Sequence, residues 1–323
     1  WEQYDYTVRT NTIVGPGMDA AVVRVKETGT SVAMSLDGNG RYCHLDPRLG
    51  TKLIVAECCR NLSVVGASPV AATNNLNFGN PERPEIMAQL VESIEGLGEA
   101  CTFFETPITG GNVSLYNETL GEAIFPSPVV GIVGLMKTAI PPSGRFKQSG
   151  QAVILVGGFR PGTEREFGSS QYAKVVLDTM WGVPPALDMD YEKRVQSAVR
   201  EMVNEGAVET AHDLSDGGLA VAIAECSLGG VGAKIEMELP ERAEYLLFQE
   251  APSRVLVVTQ NPEKVKTIAG KYGLEVPRIG TTMKGRLQIR NGAAILVDVS
   301  LEELRQVWET SLPRHLHPED TGH

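Results

Sequence analysis

Ala207-Val208-Glu209-Thr210-Ala211-His212-Asp213-Leu214-Ser215-Asp216-Gly217-Gly218 passes from a small, β-branched run into a polar stretch that ends in two glycines. The expected reading is a strand over 207–211, a junction, and a helix over 219–227. At such a junction Asp213 can reach a metal ion. Ser215 and Asp216 can cap a helix beginning at Gly217, and the first amides of that helix attract anions. Capping alone would not require both aspartates. A lone histidine is more often a structural hydrogen-bonder than a base, and His212 is read that way.

Working outward, strands are expected over 152–156, 233–237 and 255–259, with helices over 191–204 and 262–272. Two further strands and a closing helix over 301–310 follow, which makes the second half α/β. Upstream, Ile140-Pro-Pro-Ser-Gly-Arg-Phe-Lys-Gln-Ser-Gly150 gathers turn formers after an apolar run, as an interdomain linker does. The first half reads as strands over 20–26 and 31–36, a helix over 48–65 stopped by Gly66, and a strand over 69–76. A helix over 84–101, a short strand over 107–109 entering Gly110-Gly111, and a strand over 128–135 complete an α+β pattern. The expected domains are 1–141 and 142–312, followed by a polar tail, 313–323, expected to be disordered.

The chain has 323 residues, enough for two domains with ample cores. Forty acidic residues against 29 Lys plus Arg leave a formal charge of −11, which argues against a surface that tracks nucleic-acid phosphates or anionic lipid. The longest apolar stretch, 123–136, contains Pro126 and Pro128 and is too short to span a bilayer. The first residues lack the basic and apolar regions of a secretory signal. With Trp1 in place of an initiator Met, the sequence reads as a chain cut from something longer. Its five cysteines, Cys43, Cys58, Cys59, Cys101 and Cys226, show no CxxC spacing and are expected to be buried, reduced thiols of a cytoplasmic protein.

GxxxxGK, GxGxxG and HExxH are all absent, so any ATP chemistry must use another device. Three further stretches put small and polar residues where a ligand could meet backbone and oxygens. Gly15-Pro16-Gly17-Met18-Asp19-Ala20-Ala21 offers a flexible turn and a carboxylate suited to Mg2+, or else a turn in which Asp19 caps its own backbone. Glu57 and Asn61 lie four apart on a helix, so both side-chain oxygens share a face, whether toward a metal or toward solvent. Asn74-Asn75-Leu76-Asn77-Phe78-Gly79-Asn80-Pro81 pairs with Gly110-Gly111-Asn112-Val113-Ser114-Leu115-Tyr116-Asn117-Glu118. Both follow short strands and offer neutral groups that can hold phosphate or sugar without adding negative charge.

Together, residues 15–21, 76–85, 110–118 and 212–218 resemble the phosphoribosylformylglycinamidine synthase subunit II family, and more narrowly its C-terminal half. The likeness covers nearly the whole chain in order and includes Phe248-Gln-Glu-Ala-Pro-Ser-Arg254 and Ile279-Gly280. The His-Asp-x-Ser-Asp-Gly-Gly motif is shared more widely across the aminoimidazole ribonucleotide synthetase-like superfamily. The resemblance implies that superfamily's two-domain architecture, an α+β N-terminal domain followed by an α/β C-terminal one. It also implies ATP- and Mg2+-dependent conversion of formylglycinamide ribonucleotide to its amidine in purine biosynthesis. Ammonia would come from a glutaminase subunit, and a small bridging subunit would join the complex. The full subunit would be an internal duplication whose two N-terminal domains pair. This chain would be the second copy, partnered by the N-terminal half and self-associating as a homodimer in isolation.

By the same resemblance, Asn74 and Gly111 match ATP contacts in the productive cleft, Asn112 a Mg2+ ligand and Ser114 a substrate contact. Asn74 stands where the family usually shows Asp; its amide can accept a hydrogen bond but cannot act as an anion. A second, auxiliary nucleotide site matches Met18 and Ser215 for the nucleotide, and Asp19, Glu57, Asn61 and Asp213 for Mg2+. The family's catalytic histidines belong to the first copy. The corresponding place here, Ser35-Leu36-Asp37-Gly38-Asn39-Gly40-Arg41, has none, so no catalytic residue is expected in this chain and turnover is not expected from it alone. Two other readings are a non-catalytic module holding an auxiliary Mg-nucleotide and a complete relative such as a thiamine monophosphate kinase or selenophosphate synthetase. The paired Asn motifs speak against the latter.

Overall fold

The computed structural model describes residues 4–137, 140–160, 162–240 and 242–316. The N-terminal part contains β1 (Thr12–Val14), β2 (Ala21–Val25), β3 (Thr30–Asp37), α1 (Gly40–Leu45), α2 (Pro47–Val64), β4 (Ala67–Asn77) and α3 (Pro84–Phe103). It continues through β5 (Ile108–Ser114), the small hairpin β6 (Glu118–Thr119) and β7 (Glu122–Ala123), and β8 (Ser127–Met136). Six strands form one sheet in the order β1-β2-β3-β8-β4-β5. Only the β4–β5 pair is parallel.

Helix α2 explains why this layer folds as it does. Asp46 caps it through a 2.9 Å bond from the Leu49 amide, Pro47 occupies its first turn, and Gly66 at φ +84° turns the chain out after it. Its apolar residues run round the whole circumference, and Ile54, Val55, Cys58, Cys59 and Leu62 are all buried. A helix of that kind needs cover on every side. Here the sheet, α3 and α6 (Met189–Asn204) of the second part supply it.

Among the described residues, no helix covers the opposite face of the sheet in this way. Period-two alternation places Val32, Met34 and Leu36 of β3 there, and β8 adds Val133 and Leu135 in register, Met34 opposite Val133. Leu36 is 74% exposed and Leu135 48%. Strand β5 is longer than the expected 107–109 and carries Gly110-Gly111-Asn112 inside it; likewise β4 runs through Asn74, Asn75 and Asn77. Pairing between the two strands satisfies the backbone that these turn-favouring residues would otherwise bend, so both motifs are strand rather than post-strand loop.

The second part contains β9 (Ala152–Val156), α4 (Glu164–Phe167), α5 (Gln171–Val175), α6, β10 (Thr210–Asp213), α7 (Gly218–Ser227), β11 (Val231–Met237) and α8 (Ala243–Phe248). After these come β12 (Val255–Thr259), α9 (Pro262–Lys271), β13 (Arg278–Lys284), β14 (Arg286–Asn291), β15 (Ala294–Ser300) and α10 (Leu301–Leu316). The sheet order is β10-β12-β9-β13-β11-β14-β15, antiparallel except between β11 and β14. Strands β9 and β12 are buried along their whole length. Ile154, Val255 and Val257 face α6 and α9, while Val153, Leu155 and Leu256 face α7 and α8. Helices on both faces account for the unbroken apolar runs in the sequence.

The connecting segment attaches to the second sheet: Ser143 bridges Thr210, and Phe146 N–H donates to the Cys226 carbonyl at 2.8 Å. α10 continues past the expected end at 310 to Leu316; the remainder of the tail lies outside the described residues. All five cysteines are free and buried. No helix among the described residues is long and apolar enough to cross a membrane.

Candidate functional site

Two regions gather the motif residues. In the first, the parallel register of β4 and β5 sets Asn74 beside Gly111, Asn75 beside Asn112 and Asn77 beside Ser114. Alternation puts the first pair on the helix side and the other two on the open face. Asn74 and Gly111 are therefore brought together, and so are Asn112 and Ser114, but the two couples lie on opposite sides of the strand pair. Gly111 leaves room for the Asn74 amide: a Cβ there would meet the end of that side chain and force it to turn aside. Asn112 Nδ2 donates to Asn75 Oδ1 at 3.1 Å, and Ser114 Oγ donates to Asn117 Oδ1 at 3.2 Å. Asn117 in turn donates to the Phe78 and Ser114 carbonyls, tying the two motifs into one platform.

The second region lies where the two parts meet. A cavity of about 300 Å³ is lined by Met18, Asp19, Asn61 and Ser215, four of the six residues expected at an auxiliary nucleotide site, together with Arg145, His212, Glu225 and Trp308. Asp19 does not cap its own turn. Its Oδ1 accepts the Asp213 N–H at 3.0 Å and its Oδ2 contacts His212 Nδ1 at 2.9 Å, while His212 Nε2 reaches Glu225 Oε2 at 3.1 Å. Burial opposes charge on His212, but Asp19 and Glu225 more than compensate and hold its pKa well above the usual histidine range. His212 is thus the structural hydrogen-bonder the sequence suggested, engaged at both ring nitrogens.

Neither Glu57 nor Asn61 sits on a solvated helix face; Asn61 is buried and Glu57 half-buried. Glu57 lines an adjoining pocket with Arg60, Ser215, Asp216 and Glu250. Asp213, also buried, pairs with Arg60, which further binds Glu192 Oε1 at 3.0 Å. Asp213 Oδ2 has no hydrogen-bond partner among the described residues. Burial raises the pKa of Asp37, Glu57 and Asp213, and neighbouring carboxylates add to the effect, Asp216 and Asp213 on Asp37, Asp37 and Asp213 on Glu57, and Asp19 and Glu192 on Asp213; Asp37, at the end of β3, is pushed up to about 7. Among the described residues no three His, Cys, Asp or Glu side chains form a ready cage for a metal ion. The oxygen-only donor set, the orphaned Asp213 oxygen and the crowded carboxylates nevertheless suit Mg2+, which takes one or two carboxylates and fills its remaining positions with water or phosphate oxygens.

The expected caps of α7 are not used. Gly217, left-handed at φ +77°, is itself the N-cap, and the helix begins at Gly218 with no side-chain cap. That turn is closed by the Gly218 N–H to the Ser215 carbonyl at 3.0 Å, while the Gly217 N–H donates to Glu250 Oε1 at 2.8 Å. Asp216 is engaged instead by Arg41 at 2.9 Å and by Gln171 Nε2 at 3.1 Å. The residues the sequence did not reveal are Arg60, Arg145, Glu225 and Trp308. Arg60 carried a signal: a cation beside Cys58, Cys59 and Leu62 in an apolar helix must find buried anions.

A mixed α+β layer joined to a helix-flanked sheet, with its polar residues collected at the junction and along β4–β5, defines a class. The chain matches the AIR synthase related protein N-terminal domain over residues 17–136 and the C-terminal domain of the same family over 148–290, and it belongs to that family. Within it, the chain is 45% identical over 317 residues to the phosphoribosylformylglycinamidine synthase subunit PurL of Moorella thermoacetica, covering 97% of this chain and 43% of that protein. It thus spans less than half the length of that relative. PurL of T. maritima, solved in complexes with FGAR and with ATP, matches in fold with TM-scores of 0.76 and 0.72 at 23% identity. Those matches cover 93% of this chain and 50% and 48% of those chains. The structure of PurLQS from Thermotoga maritima matches with a TM-score of 0.59 at 27% identity, over 88% of this chain and 40% of that one.

Proposed function

We propose that this chain is the C-terminal half of phosphoribosylformylglycinamidine synthase subunit II, with residues 1–141 and 142–312 as its two domains. In this reading it contributes one wall of a site where ATP activates formylglycinamide ribonucleotide. The amide oxygen attacks the γ-phosphoryl group to give an iminophosphate and ADP. Ammonia then adds to the carbon, and phosphate leaves to yield the amidine. Ammonia would be supplied by a glutaminase subunit through an assembly that also holds a small bridging subunit, in the cytoplasm, where buried thiols stay reduced.

The observation that carries the reading is the β4–β5 pair, where two Asn-rich motifs lie side by side in register, Asn74 and Gly111 toward the helix side and Asn112 and Ser114 on the open face. Asn74 and Gly111 would meet ATP, and Ser114 the substrate. Asn112, as an oxygen donor, would hold Mg2+, whose contribution when bound is to offset charge on the transferring phosphoryl group. Neutral amides suit this task in a chain of charge −11, since they bind phosphate oxygens without repelling them. The uncovered apolar face of the same sheet is where the N-terminal half would pack, and where the isolated chain would pair with itself. The test is formation of the amidine when the N-terminal half is supplied. Asn112→Ala is expected to lower turnover at least tenfold, and undiminished turnover would sink the assignment.

A second reading is compatible with the first and is favoured by the junction cavity. Met18 and Ser215 would contact an auxiliary nucleotide whose Mg2+ is held by Asp19, Glu57, Asn61 and Asp213, stabilising the junction without chemistry. MgADP should then raise the melting temperature of the chain, and Asp213→Ala should abolish that rise. ATP hydrolysis by the chain alone with thiamine monophosphate or selenide would instead favour a complete kinase or synthetase of the same fold.

A further inference from the structure

We infer that Arg145 and Trp308, which lie outside every sequence motif, complete the junction cavity as a purine-nucleotide site, with Trp308 stacking on the base and Arg145 meeting the phosphates. The inference rests on the nucleotide reading of that cavity.

Trp308 is on α10, which buries none of its residues, so its indole is not held there as part of a core. It is 53% exposed and forms part of the cavity wall together with the apolar side chains of Met18 and Leu228. A flat aromatic surface at the mouth of a polar cavity is what a nucleobase stacks on.

Arg145 lies in the segment joining the two domains and is fixed by its backbone. Its N–H donates to Ser143 Oγ at 3.0 Å, its carbonyl accepts from Thr210 Oγ1 at 3.1 Å, and the next residue bonds to the end of α7. Its guanidinium lies against the glycine turn at Gly17. Asp19 and Glu225 line the same cavity, yet His212 bridges both of them, and Arg145 makes no ion pair among the described residues. A half-buried guanidinium that forms no ion pair among the described residues, at the wall of this cavity, is available to an anionic ligand.

The experiment compares the 323-residue chain with its Trp308→Leu, Trp308→Phe and Arg145→Gln variants, using MgADP and magnesium pyrophosphate as probes in calorimetry and tryptophan fluorescence. MgADP should quench emission of the parent chain. Trp308→Leu should lose that quench and bind ADP about tenfold more weakly with pyrophosphate binding unchanged, whereas Trp308→Phe stays within about twofold. Arg145→Gln should weaken both ligands about tenfold. If the parent binds MgADP and the Leu and Gln variants bind it equally well, this inference is overturned and the nucleotide reading stands. If the parent gives no binding heat with MgADP, both fall together.

Discussion

Arg60 is the residue on which the junction turns. It is 2% exposed, it reaches from α2 of the first part to Asp213 of β10 and Glu192 of α6 in the second, and it lies 3.9 Å from Glu57 on its own helix. Removing one partner of such a group leaves uncompensated buried charge, so Arg60→Met is expected to cost about 3–5 kcal/mol in denaturant unfolding. A loss below about 1 kcal/mol would show that the carboxylates find other partners. Asp37 makes a pH prediction of definite sign. Its pKa is raised from 3.8 to about 7, so the folded state holds the proton more tightly than the unfolded state does. Its contribution to stability is therefore fully present below pH 4, declines as pH rises between about 4 and 7, and is gone above that window. In chelator, Asp37→Asn should unfold at the same denaturant midpoint as the parent at pH 4 and at a higher one at pH 8. Equal midpoints at both pH values would refute this. The motif residues were legible because they share a chemistry, oxygens beside glycines. Arg145 and Trp308 were not, because their roles depend on where the linker and the last helix are carried in space.

At the scale of elements, the contact between α2 and α3 is set by glycine. A Cβ on Gly96 would lie 2.3 Å from the Arg48 carbonyl oxygen of α2, whereas one on Gly98, two residues on, would meet nothing within 4 Å. Gly96→Ala should therefore destabilise by about 1–3 kcal/mol, and Gly98→Ala should stabilise by up to about 1 kcal/mol through helix propensity. Similar effects from both substitutions would contradict the packing described. Long elements could be read from the sequence, α3 and α6 because burial repeats every turn and α2 because its apolar run is longer than a strand and is stopped by Gly66. The short α1, α4, α5 and α8 escaped, since a helix of one or two turns shows too little periodicity and is held by tertiary contacts. Strand β5 was read too short because glycine and asparagine favour turns, a local preference that pairing with β4 overrides.

At the scale of the whole molecule, the open face of the first sheet stands out among the described residues as an unmatched apolar surface. Met34, Leu36, Val133 and Leu135 form an apolar strip across its two central strands, and the Asn112–Ser114 platform lies on the same face. Such a strip on a single chain marks an interaction site. The proposed self-pairing through this face requires the parent chain to sediment as a dimer at about 10–50 µM, a range in which a modest interface associates, and Leu36→Glu to sediment as a monomer. No change in mass would argue that this face is not the interface. On the proposed function, the same geometry would make the active site a shared structure, with one wall here and the rest on the N-terminal half. The most direct test is ammonia-dependent conversion of formylglycinamide ribonucleotide, measured for this chain alone, for the N-terminal half of the Moorella thermoacetica subunit alone, and for the two mixed. Amidine is expected only from the mixture, and is lost with Asn112→Ala. Turnover by this chain alone, or none from a mixture shown to associate, would contradict the proposed function.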